Sequence, residues 1–158
     1  MVAGPDTGAV SSVSDEISSL PEGVYRVDVN LVDVDGAGLS NGSGWTGTWT
    51  MTIQDGTYAM TCRPIEDPDV DCGGAFSTGE IPHDAVLEAG YVRGSENVIA
   101  FVYDADIHSR LTGCELPCFP LPTYEMTWAL DGDTLTFGEG PGSYEAYQMM
   151  INPWTKVG

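Results

Sequence analysis

Bulky and small polar residues alternate with a period of two along several short segments of this chain, a pattern typical of strands with one buried face. In residues 45–53, tryptophan, methionine and isoleucine alternate with threonine. Asp55-Gly56 follows, a pair suited to the positive φ angles of a tight turn, and the alternation resumes in residues 57–63. These segments predict a β-hairpin with one aromatic and methionine-rich face.

The same alternation predicts further strands along the chain. They cover residues 23–31, 87–93, 98–103, 124–130 and 133–137, with shorter strands at 75–78 and 154–157. Long loops are expected at 33–44 and 104–122, and a short C-terminal helix at 143–151. About eight strands joined mostly as hairpins favour an all-β fold, an antiparallel up-and-down barrel closed by pairing its two ends.

The length of 158 residues fits one domain. Residues 1–20 lack periodicity and are expected to form a flexible N-terminal arm, with the barrel domain at 21–158. Those first residues have neither a basic nor an apolar signal region, so we expect a cytoplasmic protein if the chain is complete. If an export signal has been removed, the alternative is extracellular, and the even number of cysteines favours that oxidising compartment.

The charge balance excludes several kinds of partner. There are 24 acidic residues against five basic ones, a formal net charge of -19. Self-repulsion on this scale argues against binding nucleic acid or an anionic membrane surface. No apolar run approaches the ~20 residues of a membrane span. The expected partner is an apolar small molecule, bound by a monomer or a homodimer.

Four cysteines allow three disulfide pairings if they are oxidised. Local bridges are the simplest prediction, Cys62–Cys72 at a strand end and Cys114–Cys118 in a proline-rich loop. Neither pair has the two-residue spacing typical of zinc sites, so no metal is predicted.

No motif of known catalytic chemistry is present, whether nucleophile elbow, zinc-binding helix, dinucleotide fingerprint or phosphate loop. His83 and His108 both fall in predicted loops, which argues against a catalytic triad. An enzyme built on this chain would work without a cofactor, through shape, desolvation and a few hydrogen bonds. Arg26 and Glu125 fall on the outward phase of their strands.

The aromatic and methionine residues have two interpretations, which the sequence leaves open. They fill the core, as inward residues do in many eight-stranded barrels, or they line an apolar ligand pocket. The residues expected to line such a pocket are Trp45, Met51, Tyr58, Met60, Phe101, Tyr103, Tyr124, Met126 and Trp128.

Four segments carry a resemblance to a known family: residues 21–27, 47–58, 124–135 and 153–158. Together they resemble the lipocalin-like (calycin-type) small β-barrels of actinobacteria, many of which are appended to solute-binding proteins. Gly23-Val24-Tyr25 stands where a classical lipocalin has Gly-x-Trp. The resemblance implies structural roles for Trp49 and Trp154. In architecture the chain is also similar to the β-barrel cyclases of polyketide pathways.

Two functions of different class follow as expectations. The first is a cofactor-independent cyclase that closes a ring, by a pericyclic, Diels–Alder-type reaction, in an apolar polyketide-like substrate held inside the barrel. The alternative is a non-catalytic lipocalin-like binding module for an apolar small molecule, exported or associated with a transporter. A purely structural barrel with a filled interior is the third.

Overall fold

The computed structural model describes residues 19–36, 46–67, 69–74, 85–95, 98–112, 124–138 and 151–158. Eight strands are present: β1 Gly23–Val29, β2 Gly47–Gln54, β3 Thr57–Arg63, β4 Val86–Ser95, β5 Val98–Tyr103, β6 Tyr124–Asp131, β7 Thr134–Gly138 and β8 Trp154–Lys156. Two α-helices, α1 Leu31–Gly36 and α2 Ala105–Thr112, and a 3-10 turn at Asp71–Gly74 complete the described elements.

The strands form one closed barrel in which each strand pairs antiparallel with the next along the chain. The last strand closes the barrel by pairing with the first, with Arg26 opposite Thr155 and Tyr25 opposite Lys156. Closure leaves no sheet edge to attract other strands. The predicted antiparallel barrel of about eight strands is confirmed.

The two ends of the barrel differ. Tight turns join β2 to β3 and β6 to β7 at one end, the hairpin end, where Asp55 (φ 52°), Gly56 (φ 74°) and Gly132 (φ 62°) adopt the expected left-handed conformation. The longer connections leave the strands at the opposite end, which we call the connection end; they follow β1, β3, β5 and β7. Loops at a barrel mouth are the usual place for binding groups.

The inward faces follow the predicted alternation. On β2, Trp49, Met51 and Ile53 are buried while Thr52 is exposed, and on β3, Tyr58 and Met60 are buried. These side chains belong to one continuous apolar core that also includes Trp154. The alternation in the sequence therefore assigned the two faces of this hairpin correctly.

The first strand ends earlier than predicted. The alternation extends to Leu31, but β1 stops at Val29 and α1 begins at Leu31. The cause is a reciprocal cap: the Asp33 amide donates to Asn30 Oδ1 and the Asn30 amide donates to Asp33 Oδ2, both at 3.0 Å. A cap of this kind satisfies amides at the start of a helix and turns the chain out of the sheet.

A second helix lies where a loop was predicted. Helix α2 occupies the start of the 104–122 segment, and Asp104 caps it by accepting a 2.9 Å hydrogen bond from the Ile107 amide. The Asp104 amide in turn donates to the Ala89 carbonyl at 3.1 Å, which fixes the helix start to β4.

Several predicted elements lie outside the described residues: the strand at 75–78, the C-terminal helix at 143–151 apart from Ile151, and the N-terminal arm apart from Ser19 and Leu20. Leu20 is buried in the core. Within the described ranges, neither helix has the length and apolarity needed to cross a membrane.

Candidate functional site

A carboxylate and a phenol meet inside the barrel. The Tyr58 hydroxyl donates a 2.6 Å hydrogen bond to Glu88 Oε2, and the exposed fractions of the two residues are 1% and 9%. Apolar groups surround the pair: Met60 lies opposite Glu88 across the strands, and the Phe101 ring contacts Tyr58 edge-on at 5.1 Å. Glutamate is almost never buried in this way unless it is paired.

The register between β3 and β4 places Glu88 at this position. Tyr58 pairs with Gly90 and Met60 with Glu88, but Thr61 then pairs with Val86, so one extra residue on β4 forms a bulge. Bulges of this kind redirect neighbouring side chains and are common beside functional sites.

Burial raises the pKa of Tyr58 well above its usual value, and the charge of Glu88 and the hydrogen bond to it raise this pKa further. The phenol therefore keeps its proton throughout the physiological range and remains a fixed donor.

A second pair lies nearby. The Tyr103 hydroxyl and His108 Nδ1 are 2.7 Å apart, with the two rings edge to face at 5.5 Å. Burial raises the pKa of Tyr103, and the charges of Asp104 and then Glu88 raise it further. The Glu88 carboxyl group is therefore close enough to interact electrostatically with this phenol. Tyr58, Glu88, Tyr103 and His108 are called the Glu88 cluster below.

The cluster combines three types of group with different chemical capacities. Glu88 attracts a cation or a hydrogen-bond donor, Tyr58 orients that carboxylate, and the Tyr103–His108 pair can donate, accept or pass on a proton. The sequence did not predict Glu88 as a site residue, and its pattern placed His108 in a loop. The sequence pattern could have identified Glu88. Glu88 and Val92 are four residues apart on β4 and therefore share its inward face, and the other residues of this strand are mostly apolar.

Most residues predicted to line a ligand pocket are packed in the core. Met51, Met60, Phe101 and Met126 have no accessible surface, so none of them lines a void that would admit water. Tyr103 and Trp128 keep partial exposure. Their role in ligand binding stays a prediction.

Trp128 has a further feature. Its indole Nε1 is buried and makes no hydrogen bond to any group in the described ranges.

Two other members of the predicted pocket, Trp45 and the Tyr124 side chain, lie outside those ranges.

Arg26 and Glu125, the two charged residues that the sequence placed on the outward phase of their strands, differ in their surroundings. Arg26 is exposed on the outer face of β1, as the alternation predicts. Glu125 also has the outward phase, opposite Ala100 on β5, but only 7% of its surface is exposed. The outer face of the sheet is therefore covered at this position, and Glu125 does not point into bulk solvent.

A disulfide fixes the connection end beside β3. Cys62 and Cys72 are bonded at 2.04 Å, the local pairing that the sequence predicts, whereas Cys114, Cys118 and His83 lie outside the described residues. In the part of the chain that is described, no three histidine, cysteine or acidic side chains converge as metal ligands.

The neighbouring Asp71 organises the same loop. Its Oδ2 accepts hydrogen bonds from the amides of Ile65 at 2.8 Å, Glu66 at 2.7 Å and Asp67 at 3.2 Å, and its Oδ1 accepts one from the Thr46 hydroxyl. Burial acts to raise the pKa of Asp71, but these hydrogen bonds to the charged form outweigh it and the pKa is lowered. Asp71 is a structural anchor for the loop.

Comparison with known proteins gives no relative for this chain. No family model, no curated protein and no solved structure matches it. The lipocalin-like resemblance in residues 21–158 therefore stays a prediction.

Proposed function

We propose that this chain is a small-molecule-binding barrel of the lipocalin-like kind. Its ligand is mainly apolar and carries a hydrogen-bond donor or a cationic group, which Glu88 accepts near the connection end. The observation that supports this proposal is the hydrogen bond from Tyr58 to Glu88 inside the barrel, where both residues are buried and Met60 and Phe101 pack beside them.

Burying the Glu88 carboxyl group inside the barrel lowers the stability of the fold unless its hydrogen bonds compensate. Removing a carboxyl group from water costs free energy, and hydrogen bonds such as the one from Tyr58 offset part of this cost. A barrel that needed only a filled interior would be served at this position by an apolar side chain. A few polar groups in an apolar site are the usual means of orienting a ligand.

Electrostatics narrows the ligand class. Burial raises the pKa of Tyr103, and the charges of Asp104 and Glu88 raise it further, so two carboxyl groups lie near this phenol. The net charge of -19 acts in the same direction over longer distances. An amine or another donor is therefore favoured over a carboxylate or phosphate.

Cyclisation by confinement, the first function expected from the sequence, requires a void that holds the folded substrate. The preference for binding rests on the Glu88 cluster, because Met51, Met60, Phe101 and Met126 have no accessible surface and leave no void among themselves for either a substrate or a ligand. Recovery of a ring-closed product from an incubated ligand would reverse that preference.

The test uses N-phenyl-1-naphthylamine, an apolar fluorescent amine with one N–H donor. We expect it to bind the native protein with increased emission. Glu88→Gln should weaken binding about tenfold, because the carboxylate acceptor is replaced by a weaker, neutral amide oxygen. Asp133→Asn is the matched control, since it removes the same charge from an exposed residue at the hairpin end.

Thermal melting of each variant separates loss of binding from loss of folding. Binding of equal strength by the native protein and a folded Glu88→Gln variant would contradict the proposal. So would the absence of any binding by the native protein.

A further inference from the structure

We propose a second binding site on the outside of the barrel, in a cleft of about 500 Å³ between α2 and the β2–β3 turn. Its ligand is a small amphoteric molecule with an apolar body, of the kind represented by a free aromatic amino acid. The cleft is lined by Gln54, Asp55, Thr57, Tyr91, Ile107 and Arg110.

Two opposite charges line this cleft without neutralising each other. Arg110 makes one described contact, from Nε to the Asp106 carbonyl at 3.4 Å, and its terminal nitrogens have no partner among the described residues. The Asp55 amide donates to Glu22 Oε2 at 2.5 Å, while the Asp55 carboxylate has no partner in the same ranges. A carboxylate on Arg110 and an ammonium group on Asp55 would complement both charges.

The apolar part of the cleft is formed by Tyr91 and Ile107. The Arg93 guanidinium stacks on the Tyr91 ring at 4.5 Å and is itself held by hydrogen bonds to the carbonyls of Gly56 at 3.1 Å and Val92 at 3.0 Å. The orientation of the ring is therefore fixed before any ligand arrives. A fixed aromatic surface in the same cleft as two opposite charges suits a flat or branched apolar side chain.

Basic residues are scarce in this chain, so the position of Arg110 in the cleft indicates which ligand charge the cleft favours. Only five basic residues oppose 24 acidic ones, and two of those five, Arg93 and Arg110, lie at or behind this cleft. A carboxylate is repelled by most of this surface but finds the Arg110 guanidinium here, with Arg93 behind the Tyr91 ring. The acidic Asp55 on the same cleft disfavours a simple anion and favours an amphoteric ligand.

The helix that contributes Arg110 is held in place at its start. Asp104 caps α2 through the Ile107 amide at 2.9 Å, and its own amide donates to Ala89 on β4 at 3.1 Å. The cleft residues are separate from the Glu88 cluster, although His108 lies on the same helix. The second site can therefore be tested independently of the first.

Four probes separate the contributions in an NMR titration of the full chain. L-phenylalanine carries both charges and an apolar body, N-acetyl-L-phenylalanine lacks the ammonium, L-phenylalaninamide lacks the carboxylate, and glycine lacks the apolar body. We expect phenylalanine to bind most tightly, to shift resonances of Tyr91 and Ile107, and to exceed glycine by at least about tenfold.

Two variants and a control complete the design. Arg110→Gln should weaken phenylalanine and N-acetyl-L-phenylalanine about tenfold, and Asp55→Asn should weaken phenylalanine and L-phenylalaninamide similarly. Asparagine tolerates the positive φ of Asp55, so this variant keeps the turn. Arg63→Gln, at the other end of β3, removes the same charge as Arg110→Gln and should leave binding unchanged.

The proposal is overturned if phenylalanine produces no shifts at Tyr91 and Ile107, if Arg63→Gln weakens it as much as Arg110→Gln, or if glycine binds equally well. Binding of N-phenyl-1-naphthylamine that is weakened by Glu88→Gln but unchanged by Arg110→Gln identifies the barrel site separately. The naphthylamine experiment can therefore contradict the barrel site without bearing on the cleft, and the phenylalanine experiment can contradict the cleft without bearing on the barrel site.

Discussion

Tyr58 and Glu88 are 30 positions apart in the sequence, yet the phenol of one donates a 2.6 Å hydrogen bond to the carboxylate of the other inside the barrel. The β3–β4 register brings them together, because Met60 pairs with Glu88 and Tyr58 with the next inward position, Gly90. The pair is the main polar feature of an otherwise apolar core among the described residues.

Removing the phenol hydroxyl leaves Glu88 without this donor. We expect Tyr58→Phe to lower the free energy of unfolding by about 1–3 kcal/mol, the cost of removing a hydrogen-bond partner from a buried polar group. Urea denaturation measures the change. Tyr91→Phe is the control, since no described hydrogen bond involves the Tyr91 hydroxyl, and it should change the stability by less than about 0.5 kcal/mol. Equal effects of the two substitutions would mean that the buried bond contributes nothing.

The lowered pKa of Asp71 predicts how the free energy of unfolding changes with pH. Hydrogen bonds hold its pKa in the folded state below the unfolded value of about 3.9. The stability it provides is therefore fully present above that unfolded value and is lost as the pH falls through the lower pKa of the folded state. Asp71→Asn should lower stability at pH 7 and should remove this component of the acid dependence, which sets in below about pH 4. Urea midpoints measured across this range would contradict the account if both proteins lost stability in parallel.

The Cys62–Cys72 bridge closes a short loop, with a sequence separation of 10. Constraining a loop of this size in the unfolded chain contributes about 3 kcal/mol or less. We expect the double variant Cys62→Ser, Cys72→Ser to fold with reduced stability, and a reducing agent to destabilise the native protein but not this variant. An effect of the reducing agent on both proteins would assign the stabilisation to other cysteines.

Gly90 permits the close approach of β4 and β5. A Cβ added there would lie 2.0 Å from the Val102 carbonyl oxygen, so the backbone itself would have to move. We expect Gly90→Ala to destabilise the barrel by more than about 2 kcal/mol. At Gly132 nothing lies within 4 Å, and only the positive φ opposes a side chain, so Gly132→Ala should cost about 1 kcal/mol. The two melting temperatures give the comparison, and a reversed order would contradict the packing between β4 and β5.

The sequence predicted the barrel because its strands carry the signal locally. In β2 and β3 the alternation alone separates Trp49, Met51 and Tyr58 from the threonines, and Asp55-Gly56 marks the turn. The end of β1 was missed because the reciprocal cap between Asn30 and Asp33 overrides an apolar pattern that continues to Leu31.

The candidate site could not be predicted in the same way. Its groups meet through the register of β3 on β4, through the bulge beside Glu88, and through a helix that brings His108 to Tyr103. None of these relationships is a local pattern. Glu88 was visible only as one acidic residue on the inward phase of a strand.

The central claim, that Glu88 orients a ligand near the connection end of the barrel, is tested most directly by an NMR titration with N-phenyl-1-naphthylamine. The account predicts that amide resonances of Tyr58, Glu88 and Tyr103 shift on addition of the probe and that those of Asp55 and Arg110 do not. It also predicts that Glu88→Gln moves the midpoint of the titration to about tenfold higher probe concentration. Saturation with the probe without any shift at Tyr58, Glu88 or Tyr103 would contradict it.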